Sequence, residues 1–188
     1  YEIGVRLVGS EMCIRDSDFG IWRSSIMPKV ALIMGSKSDW PSLRGCVDVL
    51  KGFEIEVEVH VASAHRTPET VAAFAANARE NGFEAIIAAA GKAAHLAGVI
   101  AGHTTLPVIG IPVKSSFMDG LDSLLSTVQM PTGIPVATVA VGGGDNAAYL
   151  AAQMLSIKYP ILAEKLLAHR ERMAAAIEAD DKQIQEEL

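Results

Sequence analysis

A histidine next to an arginine, in a short polar segment, could move a proton beside a bound anion. The segment is Ser63-Ala64-His65-Arg66-Thr67-Pro68. Histidine can give or take a proton near neutral pH, and arginine presents a rigid fork of N–H donors to a phosphate or carboxylate. Alone, such a pair is more often incidental than catalytic, because Thr67-Pro68 is also a typical start of a helix.

Two other segments carry residues suited to an anionic ligand. Gly35-Ser36-Lys37-Ser38-Asp39 joins serine hydroxyls to the unpaired amides of a predicted helix start, which suits a phosphate. Asp39 would repel a phosphate and suits sugar hydroxyls, or it simply caps the helix. This motif is neither a Walker loop nor a dinucleotide fingerprint, so by itself it is weak evidence.

The third segment is Gly91-Lys92-Ala93-Ala94-His95-Leu96. Its small residues let a ligand approach the backbone closely. His95 could orient a substrate or move a proton, and the alternative is a partly buried histidine at a helix start.

The other histidines and the two cysteines are assigned no chemistry. His60, His103 and His169 have no convincing metal-ligand spacing, so we expect no metal. Cys13 and Cys46 match neither a disulfide framework nor a zinc ligand set. This cysteine usage favours a reducing, cytoplasmic setting.

Charge and hydropathy argue against two classes of partner. The chain has a net charge of −6 and no run of Lys or Arg, which argues against a nucleic-acid surface. Residues 93–113 contain no Asp, Glu, Lys or Arg, but the histidines, prolines and glycines among them are not typical of a membrane span. We therefore expect neither a nucleic acid nor a membrane as partner.

Apolar runs alternate with segments of helical spacing from residue 29 onward, which predicts parallel βαβ units in a three-layer α/β domain. The predicted strands are residues 30–34, 54–61, 85–90, 108–111 and 136–141. The predicted helices are residues 40–51, 68–81, 119–128, 146–158 and 160–188, with a small-residue helix after Gly91.

The second predicted strand alternates Glu and Val or Ile, so it should have one wet face and lie at a sheet edge. Five such strands suit a flavodoxin-like sheet of order 2-1-3-4-5. Ligands of such sheets bind at the carboxyl ends of the strands. All three polar segments follow a predicted strand, so we expect them to meet at that edge.

The chain divides into three predicted parts. Residues 1–26 have no sustained periodicity and do not form a signal peptide, and residues 1–16 are similar to translated adapter or vector sequence. We therefore expect residues 1–26 to be a non-native or disordered leader without chemistry. Residues 27–159 should form the catalytic α/β domain. Residues 160–188 form a predicted amphipathic helix, part of the same domain or of a subunit interface.

Five stretches form a joint pattern that is highly specific, although each is weak alone. They are GSKSD (35–39), SAHRTP (63–68), AGKAAHLAG (90–98), PVIGIPV (107–113) and GLDSLLSTVQMPTGIPVATV (120–139). Together they resemble the catalytic-subunit family of phosphoribosylaminoimidazole carboxylase, the N5-carboxyaminoimidazole ribonucleotide mutases. The resemblance covers roughly residues 27–159.

The resemblance implies a flavodoxin-like homo-octamer in the cytoplasm that acts in purine (IMP) synthesis. It implies an isomerase that converts N5-carboxyaminoimidazole ribonucleotide to 4-carboxy-5-aminoimidazole ribonucleotide without ATP, metal or organic cofactor. It also implies a functional link to the ATP-dependent synthetase that makes this substrate.

Carried onto this chain, the family's catalytic residues fall on His65, which would transfer the proton, and on His95 beside the reacting groups. The ribose phosphate would be bound by Ser36, Ser38, Asp39, Ser63 and Arg66. The imidazole and the migrating carboxylate would be surrounded by Ala64, Gly91, Lys92, Ala93 and Leu96.

Two departures from the family pattern matter. Many members have Gly at the position of Lys92 and Pro at the position of Ala97. The Ala97 change should loosen the loop slightly, whereas the sequence leaves open whether Lys92 points to solvent or adds charge near the carboxylate.

Two other functions stay open. One is a carboxylase on the same fold that uses CO2 and the unmodified aminoimidazole, although Ala93-Ala94-His95 is similar to the mutase class. The other is a flavodoxin-like nucleotide-binding or flavin-binding module without catalysis. The small number of aromatic residues, with two Trp and three Tyr, disfavours a flavin site.

Overall fold

A computed structural model describes residues 27–188, so the predicted leader lies outside the described residues. The strands are β1 Lys29–Met34, β2 Glu56–Val61, β3 Ala85–Gly91, β4 Val108–Val113 and β5 Ala137–Thr138. They form one parallel sheet in the order β2-β1-β3-β4-β5. This confirms the predicted parallel sheet and its strand order.

Helices cover both faces of the sheet, which confirms the three-layer α/β class. The helices are α1 Trp40–Gly52, α2 Pro68–Asn77, α3 Leu96–His103, α4 Leu121–Val128, α5 Gly144–Ser156 and α6 Pro160–Glu186. Residues of α1, α5 and the start of α6 share one apolar core with the sheet, and residues of α2 and α3 share the other.

The central strand β1 shows how the sequence builds these two cores. Successive side chains of a strand point to opposite faces of the sheet. Val30 and Leu32 therefore enter the core beneath α1 and α5, while Ala31 and Ile33 enter the core beneath α2 and α3. All four are at most 1% exposed, so β1 is a rigid base for the loop that follows it.

The edge strand β2 is shorter than predicted. Glu54 adopts a left-handed backbone with φ of 59°, and the strand begins only at Glu56. Its apolar face is also less covered than expected within this chain, because Val59 is 39% exposed and Val61 is 59% exposed. The edge position in the sheet is confirmed.

The fifth strand is much shorter than the predicted 136–141. Only Ala137 and Thr138 are paired with β4. Pro112 of β4 has no N–H to donate, so the ladder cannot continue regularly past it. The Gly142 amide donates to the Pro112 carbonyl at 2.9 Å, and the chain then turns into α5.

Most predicted helices lie where expected, with shifted ends. The predicted helix 68–81 ends at Asn77, and turns lead on to Gly82 with φ of 82°. The predicted helix 119–128 starts at Leu121, because Asp119 and Gly120 have positive φ values of 55° and 104°.

The long helix α6 packs on the domain only near its start. Leu162 is buried at 2% exposure, whereas Met173 and Ile177 are 57% and 69% exposed. Much of its apolar stripe is thus uncovered within this chain. Among residues 27–188, no helix combines the length and apolarity needed to cross a membrane.

Candidate active site

A cavity of about 620 Å³ opens at the carboxyl edge of the sheet, where β1, β2, β3 and β4 end. We name it the carboxyl-edge cavity. Its walls include eleven of the twelve predicted site residues: Ser36, Ser38, Asp39, Ser63, Ala64, His65, Arg66, Gly91, Lys92, Ala93 and Leu96. The twelfth, His95, is in contact with the wall residue His65.

The loop after β1, residues 35–39, is the β1 loop, and it presents two serine hydroxyls to this cavity. The Ser38 amide and hydroxyl both donate to the Ser36 Oγ, at 3.3 and 2.8 Å, and this closes a short 3₁₀ turn ahead of α1. The Gly35 amide donates to the Ala89 carbonyl at 3.1 Å, which ties the loop to β3. The backbone amides at this helix start are already used within the chain, because the Asp39 N–H donates to the Ser36 carbonyl at 3.1 Å, the Trp40 N–H donates to the Lys37 carbonyl, and Pro41 has no N–H. The loop therefore offers an anion its serine hydroxyls and the positive end of the α1 dipole.

Burial raises the pKa of the Asp39 carboxyl above its ordinary value of 3.8. The Ser38 hydroxyl, the Ser36 backbone and the positive charge of Arg66 act in the opposite direction and do not outweigh the burial. Although Asp39 lies at the N-cap position of α1, its side chain makes no capping hydrogen bond. The Ser38 hydroxyl lies 3.3 Å from Asp39 Oδ1. Asp39 also lines the cavity, and a carboxylate can accept further hydrogen bonds, so it can accept one from a ligand hydroxyl.

The loop after β2, residues 62–67, is the β2 loop, and side-chain hydrogen bonds of Thr67 close it into a turn. The Ser63 amide donates to Thr67 Oγ1 at 2.9 Å, and the Thr67 hydroxyl donates back to the Ser63 carbonyl at 3.1 Å. The Arg66 amide donates to Ser63 Oγ at 3.2 Å. The turn sets the direction of His65 and Arg66, so Thr67 positions residues of the site without lining the cavity. No pattern in the sequence indicated this role for Thr67.

Arg66 spans from the β2 loop to the β1 loop. One guanidinium nitrogen, Nη2, donates to the Gly35 carbonyl at 2.6 Å. The guanidinium has further N–H donors, and Arg66 lines the cavity together with Ser36 and Ser38 of the β1 loop. A phosphate placed there meets an arginine, two hydroxyls and a helix start together.

His65 and His95 form a hydrogen-bonded pair. His65 Nε2 lies 2.9 Å from His95 Nδ1, and the rings are nearly perpendicular at 85°. One nitrogen must carry the proton and the other must accept, so the intact pair carries at most one positive charge. Such a pair can donate a proton to a ligand and take one back without a metal or an external base.

The loop after β3, residues 92–95, is the β3 loop, and it forms part of the cavity wall. Lys92 adopts a left-handed backbone with φ of 56°, and the His95 amide donates to the Ala93 carbonyl at 2.9 Å. Leu96 begins α3 and is 2% exposed. Gly91 is paired with Val113 of β4, and a Cβ at Gly91 would lie 3.4 Å from the Val113 carbonyl oxygen. Gly91 and Val113 both line the cavity, so a side chain at Gly91 would crowd the β4 backbone at the cavity wall.

The cavity has six further wall residues that were not predicted as site residues, chiefly from the end of β4 and the loop after it: Gly35, Ala90, Val113, Lys114, Ser115 and Ser116. Lys114 pairs with Asp119 at 2.7 Å, and the Ser115 hydroxyl lies 2.8 Å from the Asp122 carboxylate. The position after a central parallel strand was the one available signal for them.

The three histidines that were assigned no chemistry lie away from the cavity. His60 packs on the Phe74 ring at 5.0 Å between centroids, and His169 stacks on Tyr149 at 4.6 Å. His103 ends α3 at the opposite edge of the sheet. Within residues 27–188 no three His, Cys, Asp or Glu side chains are grouped so that they could hold a metal ion.

Fold and cavity together define a class of protein. An open parallel sheet places a histidine pair, an arginine, serine hydroxyls and two lysines at the carboxyl ends of its central strands, where such sheets bind ligands. The cavity walls carry three cationic side chains and one carboxylate in a chain whose net charge is −6. This is an α/β protein with a site for a small anionic ligand and a means of proton transfer.

The family can also be named. The family model described as AIR carboxylase matches residues 29–176, and the chain belongs to this family. Over 147 residues the chain is 58% identical to the N5-carboxyaminoimidazole ribonucleotide mutase of Pyrococcus abyssi, which covers 78% of this chain and 84% of that protein. The mutase of Saccharolobus solfataricus is 57% identical over 147 residues, covering 78% and 93% respectively.

A solved structure supports the same assignment. The crystal structure of Treponema denticola PurE superposes with a TM-score of 0.74 at 30% identity, covering 83% of this chain and 98% of that one.

Proposed function

We propose that this chain is a mutase that converts N5-carboxyaminoimidazole ribonucleotide to 4-carboxy-5-aminoimidazole ribonucleotide in purine synthesis. The observation that carries the proposal is the His65–His95 hydrogen bond at the wall of a cavity that also has the residues for a ribose phosphate. The relatives at 57–58% identity, which are named as this mutase, support the choice of substrate.

The phosphate end of the substrate is assigned to the β1 and β2 loops. Arg66 and the hydroxyls of Ser36, Ser38 and Ser63 bind the phosphate, with support from the positive end of the α1 dipole. Asp39 accepts hydrogen bonds from the ribose hydroxyls. This arrangement leaves the imidazole directed toward the β3 loop, with Ala64, Gly91, Ala93 and Leu96 around it.

His65 is the proposed proton-transfer residue, and one histidine suffices for both proton steps. His65 gives its proton to the carbamate nitrogen, the N–C bond breaks and CO2 leaves. C4 of the aminoimidazole then attacks CO2 and forms the new C–C bond. His65 takes the proton from C4, which restores the aromatic ring and returns the histidine to its starting state.

His95 supports both steps through its hydrogen bond to His65. It accepts when the His65 Nε2 is protonated, and it can present a proton when that nitrogen is not. The released CO2 needs to stay within bonding reach of C4, and the small residues of the β3 loop leave space for it. Holding it there makes the recarboxylation effectively intramolecular.

The assembly is proposed to be an octamer of this chain in the cytoplasm. Exposed apolar side chains support an interface along α4, where Leu121, Leu125 and Val128 are 45%, 49% and 46% exposed. In this proposal residues 27–159 form the catalytic domain, and the uncovered stripe of residues 160–188 packs on a neighbouring subunit.

The substrate implies the reaction that precedes this one. A carbamate on an aromatic amine forms at the expense of an activated carboxyl donor. We therefore propose a functional link to an ATP-dependent synthetase that supplies the N5-carboxy nucleotide.

A turnover assay in bicarbonate-depleted buffer tests the proposal. The purified chain is given the N5-carboxy nucleotide without ATP, and product is followed by ultraviolet absorbance. Conversion is expected. If the chain instead converts aminoimidazole ribonucleotide only when CO2 is supplied, it is the CO2-using carboxylase. If it retains a nucleotide and converts nothing, it is a binding module.

A further inference from the structure

Lys92 is a charged residue in a backbone conformation that favours glycine. Its φ of 56° lies in the left-handed region, where a side chain is disfavoured because its Cβ crowds the backbone. Lys92 is exposed and is one of the residues that line the carboxyl-edge cavity. Lys92 therefore lies at the wall of the proposed site in a backbone conformation that glycine would adopt with less strain.

The other strained positions show what such residues do in this chain. Among residues 27–188, Glu54 and Asp119 are the two other residues besides glycine with positive φ. Glu54 pairs with Lys165 at 2.6 Å, and Asp119 pairs with Lys114 at 2.7 Å. Each strained charge thus meets an opposite charge. Lys92 makes no ion pair within the described residues, so the cavity is where its partner would bind.

The cations of the cavity are divided between its two ends. Arg66 lies at the end formed by the β1 and β2 loops, bonded to the Gly35 carbonyl. Lys92 lies toward β4, because its neighbour Gly91 is paired with Val113 and its own carbonyl faces the Ser126 hydroxyl of α4 at 3.4 Å. Lys114 is beside it but is already paired with Asp119.

We infer that the Lys92 ammonium pairs with the carboxylate of the substrate, while Arg66 holds the phosphate. The inference rests on the proposed function, whose substrate carries both anionic groups. A cation at the β3–β4 side holds the carboxyl group near the His65–His95 pair and away from the phosphate residues. Lys92 is thus a specificity-determining residue for carboxylated over uncarboxylated nucleotide.

Two nucleotides that differ only in the carboxylate give the test. The dissociation constants of 4-carboxy-5-aminoimidazole ribonucleotide and of aminoimidazole ribonucleotide are measured calorimetrically at low salt with the full chain. In K92M, which keeps the aliphatic stem, binding of the carboxylated nucleotide should weaken about five- to tenfold. Binding of the uncarboxylated nucleotide should change less than twofold, and K92R should restore the wild-type preference.

Two controls separate the local charge of Lys92 from the backbone strain at this position and from the net charge of the chain. K92G removes the charge and relieves the strain, so it should fold and show the same selective loss as K92M. K51M makes the same change of net charge at the exposed end of α1, away from the cavity, and should leave both constants unchanged.

Two results would overturn the inference. If K92M and K92G bind both nucleotides equally more weakly than wild type, Lys92 contacts the phosphate. If neither variant binds either nucleotide more weakly, Lys92 is a solvated residue without a ligand contact. In both cases a wild-type chain that converts the N5-carboxy nucleotide leaves the proposed function standing. A wild-type chain that neither binds nor converts the carboxylated nucleotides overturns both.

Discussion

Two cavities lie at opposite edges of the same sheet, and the larger one is not the proposed site. The carboxyl-edge cavity measures about 620 Å³. The cavity at the amino edge, beneath the end of α3, measures about 990 Å³. Each has an arginine, a histidine and an acidic residue at its wall: Arg66, His65 and Asp39 at the carboxyl edge, and Arg79, His103 and Glu80 at the amino edge.

The two sets of residues differ in how they are held. His65 is hydrogen-bonded to a second histidine across thirty residues of chain, and Arg66 bonds to the backbone of a neighbouring loop. At the amino edge, Arg79 meets one exposed threonine, Thr105. Residue types alone do not mark a site. Helix starts and loops that converge from several strands do, and a parallel sheet gathers these at its carboxyl edge.

Substitution of the two histidines should give the largest contrast. H65N removes the proposed proton-transfer residue, so kcat should fall by about 10²- to 10⁴-fold while the nucleotide still binds. H103N makes the same change at the amino edge and should alter kcat by less than twofold. Steady-state rates with the N5-carboxy nucleotide and calorimetric binding check this. Substantial turnover by H65N would refute its role.

The two arginines should differ in binding. R66Q removes a charged hydrogen-bonding fork from the phosphate end, which should raise KM about 10- to 100-fold. R79Q removes the donor to Thr105 and should leave KM unchanged, since that arginine lies at the amino edge. Comparable effects of the two variants would mean that the ligand is not confined to the carboxyl edge.

The two threonines sharpen the comparison at the level of loop geometry. T67V keeps the side-chain shape and removes the hydroxyl that accepts from the Ser63 amide and donates to the Ser63 carbonyl. The free energy of unfolding should fall by about 1 kcal/mol, and kcat/KM should fall several-fold because the turn carries His65 and Arg66. T105V at the amino edge should change stability by less than about 0.5 kcal/mol and leave kcat/KM unaltered.

Urea unfolding curves and steady-state rates measure both threonine variants. A T67V protein with wild-type kcat/KM would show that the turn does not position the site.

The smallest expected effect is a pH-dependent change in the free energy of unfolding, which compares Asp39 at the carboxyl edge with Glu80 at the amino edge. Because burial raises the pKa of Asp39 above 3.8, the folded state holds this proton more tightly than the unfolded state does. Its contribution to stability therefore declines as the pH rises from 3.8 through the folded pKa. D39N should raise the free energy of unfolding at pH 7 by a few tenths of a kcal/mol.

The sign of the D39N effect has a direct control. The gain should vanish near pH 3, where the carboxyl is protonated in both states, and E80Q should show no comparable gain at pH 7. A D39N protein that is less stable than wild type at pH 7 would mean that the favourable field of the α1 N-terminus outweighs the burial of the charge.

Local patterns in the sequence predicted the helices, the strands and the strand order. The candidate site was predicted from three polar segments that each follow a predicted strand. The alternation of β2 indicated an edge, and the apolar run of β3 indicated a buried strand. The ends of elements were predicted less well, because they depend on distant partners. The ladder of β5 stops where Pro112 of another strand lacks an N–H, which no periodicity within 136–141 could reveal.

For the site, too, some features could be predicted from the sequence and others could not. Eleven predicted residues line one cavity because each follows a strand that ends there. The His65–His95 bond joins two loops that are separated by a whole helix and strand, so spacing did not predict it. The role of Thr67 and the strained backbone of Lys92 are also properties of loop geometry rather than of residue type.

An isotope experiment tests the central claim most directly. The N5-carboxy nucleotide is labelled with ¹³C at its carboxyl carbon and converted by the wild-type chain in buffer with unlabelled bicarbonate. Mass spectrometry then measures the label in the 4-carboxy product. If CO2 is released and recaptured within the carboxyl-edge cavity, the product keeps the label. A product that carries carbon from the bicarbonate, or no product at all, would contradict the account.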